Sequence, residues 1–157
     1  MALSLDLIDV RLLNELQEDA DRPNVELARL VGLSPAATLN RVKRLKEYGV
    51  VRAIHARLDS AAAGFALQVY VLVTLGRHDE AANRRFQDEV ANLPQVIAAD
   101  WVTGEVDAIL MAVARDVTEL QRVLLRLSTR GGTRLLTLLR LEELKPSSPL
   151  PLEATRT

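Results

Sequence analysis

Residues 24–45 read NVELARLVGLSPAATLNRVKRL, two short helical patterns on either side of Gly32. In the first, Leu27, Leu30 and Val31 share a face, Asn24 is placed as the N-cap, and Gly32 supplies the permissive backbone that a sharp interhelical turn needs. In the second, Ser34 and Pro35 read as N-cap and first helical residue, and the helix is expected to end near Tyr48 with Gly49 just beyond it. Working outward, Asp6 suits the N-cap of a helix over 6–19, whose Ile8, Leu12 and Leu16 repeat every fourth residue. Three helices with a tight turn between the last two make a helix-turn-helix layout.

Charge is distributed as that layout would require of a DNA reader. Residues 34–57 carry Arg41, Lys43, Arg44, Lys46, Arg52 and Arg57 against Glu47 alone, a local excess of +5, whereas residues 1–33 carry three arginines against seven carboxylates, −4. The whole-chain charge of −1 hides a basic surface of the kind that neutralises phosphates. On a wheel at about 100° per residue, Thr38, Leu39, Val42 and Leu45 fall inward while Ala36, Ala37, Asn40, Arg41 and Arg44 fall outward. Small Ala36 and Ala37 admit close approach to a groove, Asn40 can pair with adenine, and Arg41 and Arg44 can reach guanine or phosphate. Ser34 at the helix N-terminus suits a phosphate oxygen, and Lys43, Arg52 and Arg57 suit the backbone. A charge run alone is usually a solvated face; the acidic first helix and the turn before it favour contact with double-stranded DNA.

After Gly49 the pattern turns extended. Val51, Ala53 and His55 alternate with Arg52, Ile54 and Ala56, which predicts a strand over 51–58 that could serve as a wing. SAAAG, residues 60–64, then reads as a hinge. Beyond it the order is strand (66–75), helix (79–93), strand (96–102), strand (107–114), helix (116–127), strand (135–141), the βαββαβ plan of a ferredoxin-like domain. Asp116 and Glu119 form a capping-box-like start, and Val117, Leu120, Leu124 and Leu127 are expected to be the buried stripe of that helix. Pro146, Pro149 and Pro151 end regular structure. The fold class is α+β, with a winged helix-turn-helix domain over 1–59, a hinge over 60–65, a ferredoxin-like domain over 66–145 and a tail over 146–157.

The first strand of the second half is apolar on both faces: Leu67, Val69, Val71, Val73 and Leu75 on one, Ala66, Tyr70 and Leu72 on the other. Two helices can cover one face only, so the other is expected to meet the sheet of a second subunit. A hydrophobic content of 48% over 157 residues suffices for real cores. No apolar run approaches the roughly 18 residues of a membrane span, and the start lacks the basic and apolar regions of a signal peptide. With no cysteine either, the expectation is a cytoplasmic protein without a membrane partner. The only histidines are His55 and His78, and no carboxylate or metal-ligand cluster has useful spacing, so no catalytic residue, metal or cofactor is predicted.

Taken together, LIDVRLLNELQEDADRPNVELARLVGLSPAATLNRVKRLKEYGVV, WVTGEVDAILMAV and LRLEELKPSSPLPL resemble the Lrp/AsnC family of feast/famine transcriptional regulators. The resemblance implies a DNA-binding domain joined by a hinge strand to an amino-acid-sensing βαββαβ domain that dimerises through its sheets and often forms octamers. It also implies an effector between dimers, near a V-[ST]-G-x-x-D loop and a T-x-T on the last strand. Thr103, Gly104 and Asp107 match the loop and Thr137 the second threonine; Leu135 stands at the first, and Val106 where an aromatic often precedes the aspartate. The family's Leu-Pro-Gly-Val turn is replaced here by residues 127–133, LSTRGGT. Leu135 and Val106 favour aliphatic or aromatic amino acids over charged ones. Read from the residues alone, 104–107 also suit a plain hairpin turn. Two other functions fit the same plan: an enzyme resembling tetrapyrrole decarboxylases, and an architectural DNA-binding protein without an effector.

Overall fold

The computed structural model describes residues 4–76, 80–129 and 134–153. Their elements are α1 (Leu7–Glu18), α2 (Asn24–Val31), α3 (Pro35–Glu47), β1 (Leu67–Thr74), α4 (Glu80–Ala91), β2 (Val96–Trp101), β3 (Ala108–Ala114), α5 (Val117–Thr129) and β4 (Arg134–Leu139). The chain forms two units, one of residues 1–56 with 145–157 and one of residues 57–144. None of the described helices is long and apolar enough to cross a membrane.

In the helical unit, Leu12, Leu13, Leu27, Val31 and Leu45 form the buried centre, with Ile8, Leu16, Val42 and Leu152 packed against it. Caps fix where each helix begins. The Asp6 carboxylate accepts from the Asp9 N–H at 2.8 Å and the Asp9 carboxylate accepts from the Asp6 N–H at 3.2 Å, a capping box with aspartate in both roles. Gly32 closes α2 at φ 72°, the left-handed conformation that glycine adopts without cost. Asn24 is not a cap: Pro23 holds that position, and the Asn24 side-chain amide donates to the Pro35 carbonyl at 2.8 Å, tying the two helices across the turn. Ser34 does cap α3, its Oγ accepting from the Ala37 N–H at 3.3 Å.

The proline-rich tail is no free end. The Leu150 N–H donates to Gln17 Oε1 at 2.6 Å and Gln17 Nε2 donates back to the Leu150 carbonyl at 3.2 Å. Gln17 thus offers the extended tail a donor and an acceptor as a neighbouring strand would, and Leu152 follows onto the helical core.

Residues 51–58 pair with no strand among the described residues, contrary to the predicted wing. Alternation makes a segment fit for a sheet, but a strand needs a partner ladder. Residues 60–65, the expected hinge, lie within the second unit and begin with a hydrogen-bonded turn: Asp59 accepts from the Ala62 N–H through its carboxylate at 2.6 Å and from the Ala63 N–H through its carbonyl at 2.9 Å.

The second unit is a four-stranded antiparallel sheet in the order β2-β3-β1-β4 with the βαββαβ connectivity of a ferredoxin-like domain. Its core joins Val69, Val71 and Val73 of β1 and Leu110 and Ala112 of β3 to Phe86 of α4 and Val123 and Leu127 of α5. Val117, the first residue of α5, does not join that stripe and is 72% exposed. On the other face, Tyr70 pairs with Met111 and Leu138, and Leu72 with Ile109 and Leu136. This surface is apolar, and within the chain nothing among the described residues covers it: Leu136 is 57% exposed and Leu138 46%.

Candidate nucleic-acid interface

On α3, Thr38 and Leu45 are buried and Val42 half-buried against the helical core, while Ala36, Leu39, Asn40, Lys43 and Lys46 are exposed. Leu39, expected inside, is 57% exposed, and Arg41, expected outside, is turned toward α1. The helix is rotated relative to the wheel because the wheel scored Leu39 as apolar and Arg41 as polar, whereas α1 presents Arg41 with a carboxylate. The solvent face therefore offers a methyl surface (Ala36, Leu39), an amide (Asn40) and two ammonium groups (Lys43, Lys46). Ala37 lies half-buried beside it, its N–H taken by Ser34. With its oxygen accepting that N–H, the Ser34 hydroxyl keeps its proton for an anion at the helix N-terminus.

The arginines form a clasp. Arg41 Nη1 donates to Asp6 Oδ2 at 2.6 Å and to Asp9 Oδ1 at 2.8 Å, and Arg44 Nη2 donates to Asp9 Oδ2 at 2.6 Å. Asp9 is fully buried, so both carboxylate oxygens need charged partners, and α3 supplies them one turn apart. The Asp9 N–H and then the Arg41 guanidinium hold the Asp6 carboxyl below its ordinary value, while Asp6 and Asp9 push Arg41 up. Lys43 by contrast is 71% exposed and reaches only the exposed Glu47, at 3.7 Å. Arg52 is exposed on residues 51–58, and Arg57 is ion-paired to Glu143 in the sheet unit.

The residues singled out for an effector lie on the sheet unit. The Val102 N–H donates to the Asp107 carbonyl at 2.9 Å, so residues 103–106 are the turn of the β2–β3 hairpin, with exposed Thr103 and with Gly104 at φ 123°. Asp107 braces that turn: its N–H donates to the Val73 carbonyl at 2.8 Å and its carboxylate accepts from the Leu75 N–H at 2.7 Å. Val73 pairs with Ala108 on one side and Leu135 on the other, so Leu135 stands at the same end of the sheet as Asp107, with Thr137 one pair further in on the same face. Leu135 also lines an open groove of about 700 Å³ with Val117, Leu120, Leu124 and Leu125 of α5. None of Thr103, Gly104, Asp107 or Thr137 lines that groove.

No group of three potential metal ligands occurs among the described residues. His55 is exposed, and His78 lies outside the described residues. Sequence periodicity could not find the clasp, since Asp9 and Arg41 are 32 residues apart; the one available signal was an aspartate inside an otherwise apolar stripe of α1.

Residues 5–46 match the AsnC-type helix-turn-helix domain, and residues 68–150 match the Lrp/AsnC ligand binding domain. The chain is 37% identical over 153 residues to the HTH-type transcriptional regulator AldR of Mycolicibacterium smegmatis, covering 95% of this chain and 88% of that protein. Its fold is similar to a transcriptional regulator from Neisseria meningitidis solved as an L-methionine complex (TM-score 0.84, 33% identity, 94% and 96% of the two chains). It is also similar to a feast or famine regulatory protein from M. tuberculosis complexed with L-methionine (TM-score 0.80, 28% identity, 88% and 93% covered).

Proposed function

We propose, from the premise that this chain belongs to the Lrp/AsnC family of transcriptional regulators, that α3 reads operator DNA in the major groove through Asn40, Ala36 and Leu39. Ser34, Lys43, Lys46 and Arg52 hold the phosphates on either side. The observation that carries this reading is the exposed amide and methyl face of a helix packed on α1 and α2 by its opposite side. Ala36 and Leu39 suit thymine methyl groups and Asn40 suits the adenine edge. Residues 1–59 then act as the reader and 66–145 as the sensing and self-associating module, with 60–65 between them. Two copies joined by their open sheet faces place two α3 helices for a two-fold site, and such dimers can build an octamer. The regulator acts in the cytoplasm.

The effector proposed is an apolar amino acid held near Thr103, Gly104, Asp107 and Thr137, because Leu135 and Val106 make that end of the sheet apolar and two related structures are L-methionine complexes. A ligand changes DNA affinity only by its differential affinity for two states, so binding and regulation are separate measurements. The test is titration of the protein against the DNA upstream of its own gene, with and without L-methionine, L-leucine and L-phenylalanine, on wild type, Asn40→Ala and Asp107→Ala. Asn40→Ala is expected to lose about 1–3 kcal/mol of specific binding. An amino acid should shift the wild-type curve but not that of Asp107→Ala. Wild-type affinity in Asn40→Ala overturns the reading face, and amino-acid responses that survive Asp107→Ala undiminished overturn the effector site.

A further inference from the structure

The four charges that meet between α1 and α3 are engaged with one another. Arg41 bridges Asp6 and Asp9, and Arg44 holds the second oxygen of Asp9, whose carboxylate is sealed from water. If either guanidinium swung out to a DNA phosphate, a buried anion would lose half its compensation, which is strongly unfavourable. The two arginines on α3 are therefore held off the sugar-phosphate backbone, and the cations that α3 leaves exposed are Lys43, in a surface pair with Glu47, and Lys46.

We propose that Asp9, which lies on a different helix from the reading face, sets the specificity of DNA recognition by sequestering Arg41 and Arg44. In doing so it suppresses attraction to any phosphate backbone and leaves discrimination to the exposed face of α3. The inference rests on the DNA-binding reading above and adds a residue that need not touch DNA. Its physical content is that non-specific affinity comes almost wholly from phosphate neutralisation, while discrimination comes from base edges. Removing two cations from the phosphate-binding set lowers the first and leaves the second. Asp6 has the lesser role: it is half exposed and, of the two arginines, engages Arg41 alone. Arg44 is the group most readily released, since its side chain is 41% exposed and its buried Nε has no hydrogen-bond partner.

The test compares wild type with Asp9→Asn, which keeps the shape and removes the charge, on a random-sequence duplex and on the upstream DNA. For Asp9→Asn, affinity for the random duplex is expected to rise at low salt. It should then fall about tenfold more than wild type between about 50 and about 200 mM salt, the steepening that two added phosphate contacts produce. The ratio of upstream to random affinity should drop. Adding Arg41→Gln and Arg44→Gln to Asp9→Asn should return the salt slope to that of wild type or below, a result that a merely structural aspartate does not give. A folded Asp9→Asn with an unchanged salt slope on random DNA overturns the proposal. If Asp9→Asn fails to fold, Arg44→Gln stands in, with Asp9 still held by Arg41: a salt slope on random duplex equal to that of wild type is expected, and a slope shallower by about one contact overturns the proposal. Absence of any wild-type preference for the upstream DNA would instead count against the regulator reading, and the salt slopes on random duplex would still report on the clasp.

Discussion

The helical unit and the sheet unit bury apolar surface in opposite ways. The helical unit closes on itself: its core is covered by three helices and the returning tail, and its one buried carboxylate has partners inside the same unit. The sheet unit closes on one side only, with Val69, Val71, Val73 and Leu110 sealed under α4 and α5 while Tyr70, Leu136 and Leu138 on the reverse face stay partly bare. A unit that presents a reading face to DNA gains from rigid self-sufficiency. A unit that leaves an apolar face open has the surface of one that associates with its own copy.

The largest effect should come from charging that open face. Leu136→Glu with Leu138→Glu leaves a single chain able to fold, since both side chains are already half exposed, but places four carboxylates in a two-fold sheet-to-sheet contact. Such buried, unpaired charges cost at least about 4 kcal/mol, roughly a thousandfold in the dissociation constant. Analytical ultracentrifugation at micromolar concentration should then find a folded monomer. Leu39→Glu, on the similarly exposed leucine of α3, should leave the assembly unchanged and weaken DNA binding instead. If both variants assemble like wild type, the open sheet face is not the surface through which the chain self-associates.

A smaller effect separates the units from the other direction. Gln17→Ala removes both hydrogen bonds to Leu150, and Leu152→Ala removes a partly buried side chain from the helical core. Each should cost about 1–2 kcal/mol. Hydrogen exchange should show the loss in the amides of α1 and α2 and not in β1 or β3. Uniform loosening of both units, or none, would remove the tail from the helical unit.

Much of this was legible before the structure, and the failures share a cause. Local chemistry reads directly from the chain: Asp6, Ser34 followed by Pro35, and Gly49 mark helix ends, because a cap is satisfied within a few residues. Short runs apolar on both faces likewise marked the strands of the sheet, residues 66–75 above all. What periodicity cannot show is a partner far away in sequence. Arg41 points inward because Asp9 is there, Leu39 points outward because Arg41 does not, and a proline-rich end is ordered because Gln17 supplies a donor and an acceptor 133 residues earlier. Residues 51–58 show the converse, since their alternation is strand-like and no described segment of the chain pairs with them. For the β2–β3 turn, the motif was readable from sequence, but the hydrogen bond that occupies the Asp107 carboxylate with the Leu75 N–H was not.

The smallest expected effect tests whether the polar closure of the helical unit is electrostatic. Asp6 has its carboxyl held below the ordinary value of 3.8, first by the Asp9 N–H and then by Arg41. A carboxyl lowered by folding stabilises the folded form above its unfolded value and loses that contribution as pH falls through the lowered folded value. The helical unit of wild type should therefore weaken as the pH drops below about 3.8, whereas Asp6→Asn keeps an acceptor for the Asp9 N–H and carries no charge to lose. Wild type should be the more stable at pH 7, and the difference should shrink on acidification as Asp6 is protonated. Because Asp6 is half exposed, added salt should narrow the same difference at neutral pH. Denaturant midpoints for both proteins at neutral and acid pH, followed by a probe in α1, measure it. A gap that stays constant across both conditions would mean that Asp6 acts by shape and hydrogen bonding alone, and that the helical unit is closed by packing in the same way as the buried side of the sheet.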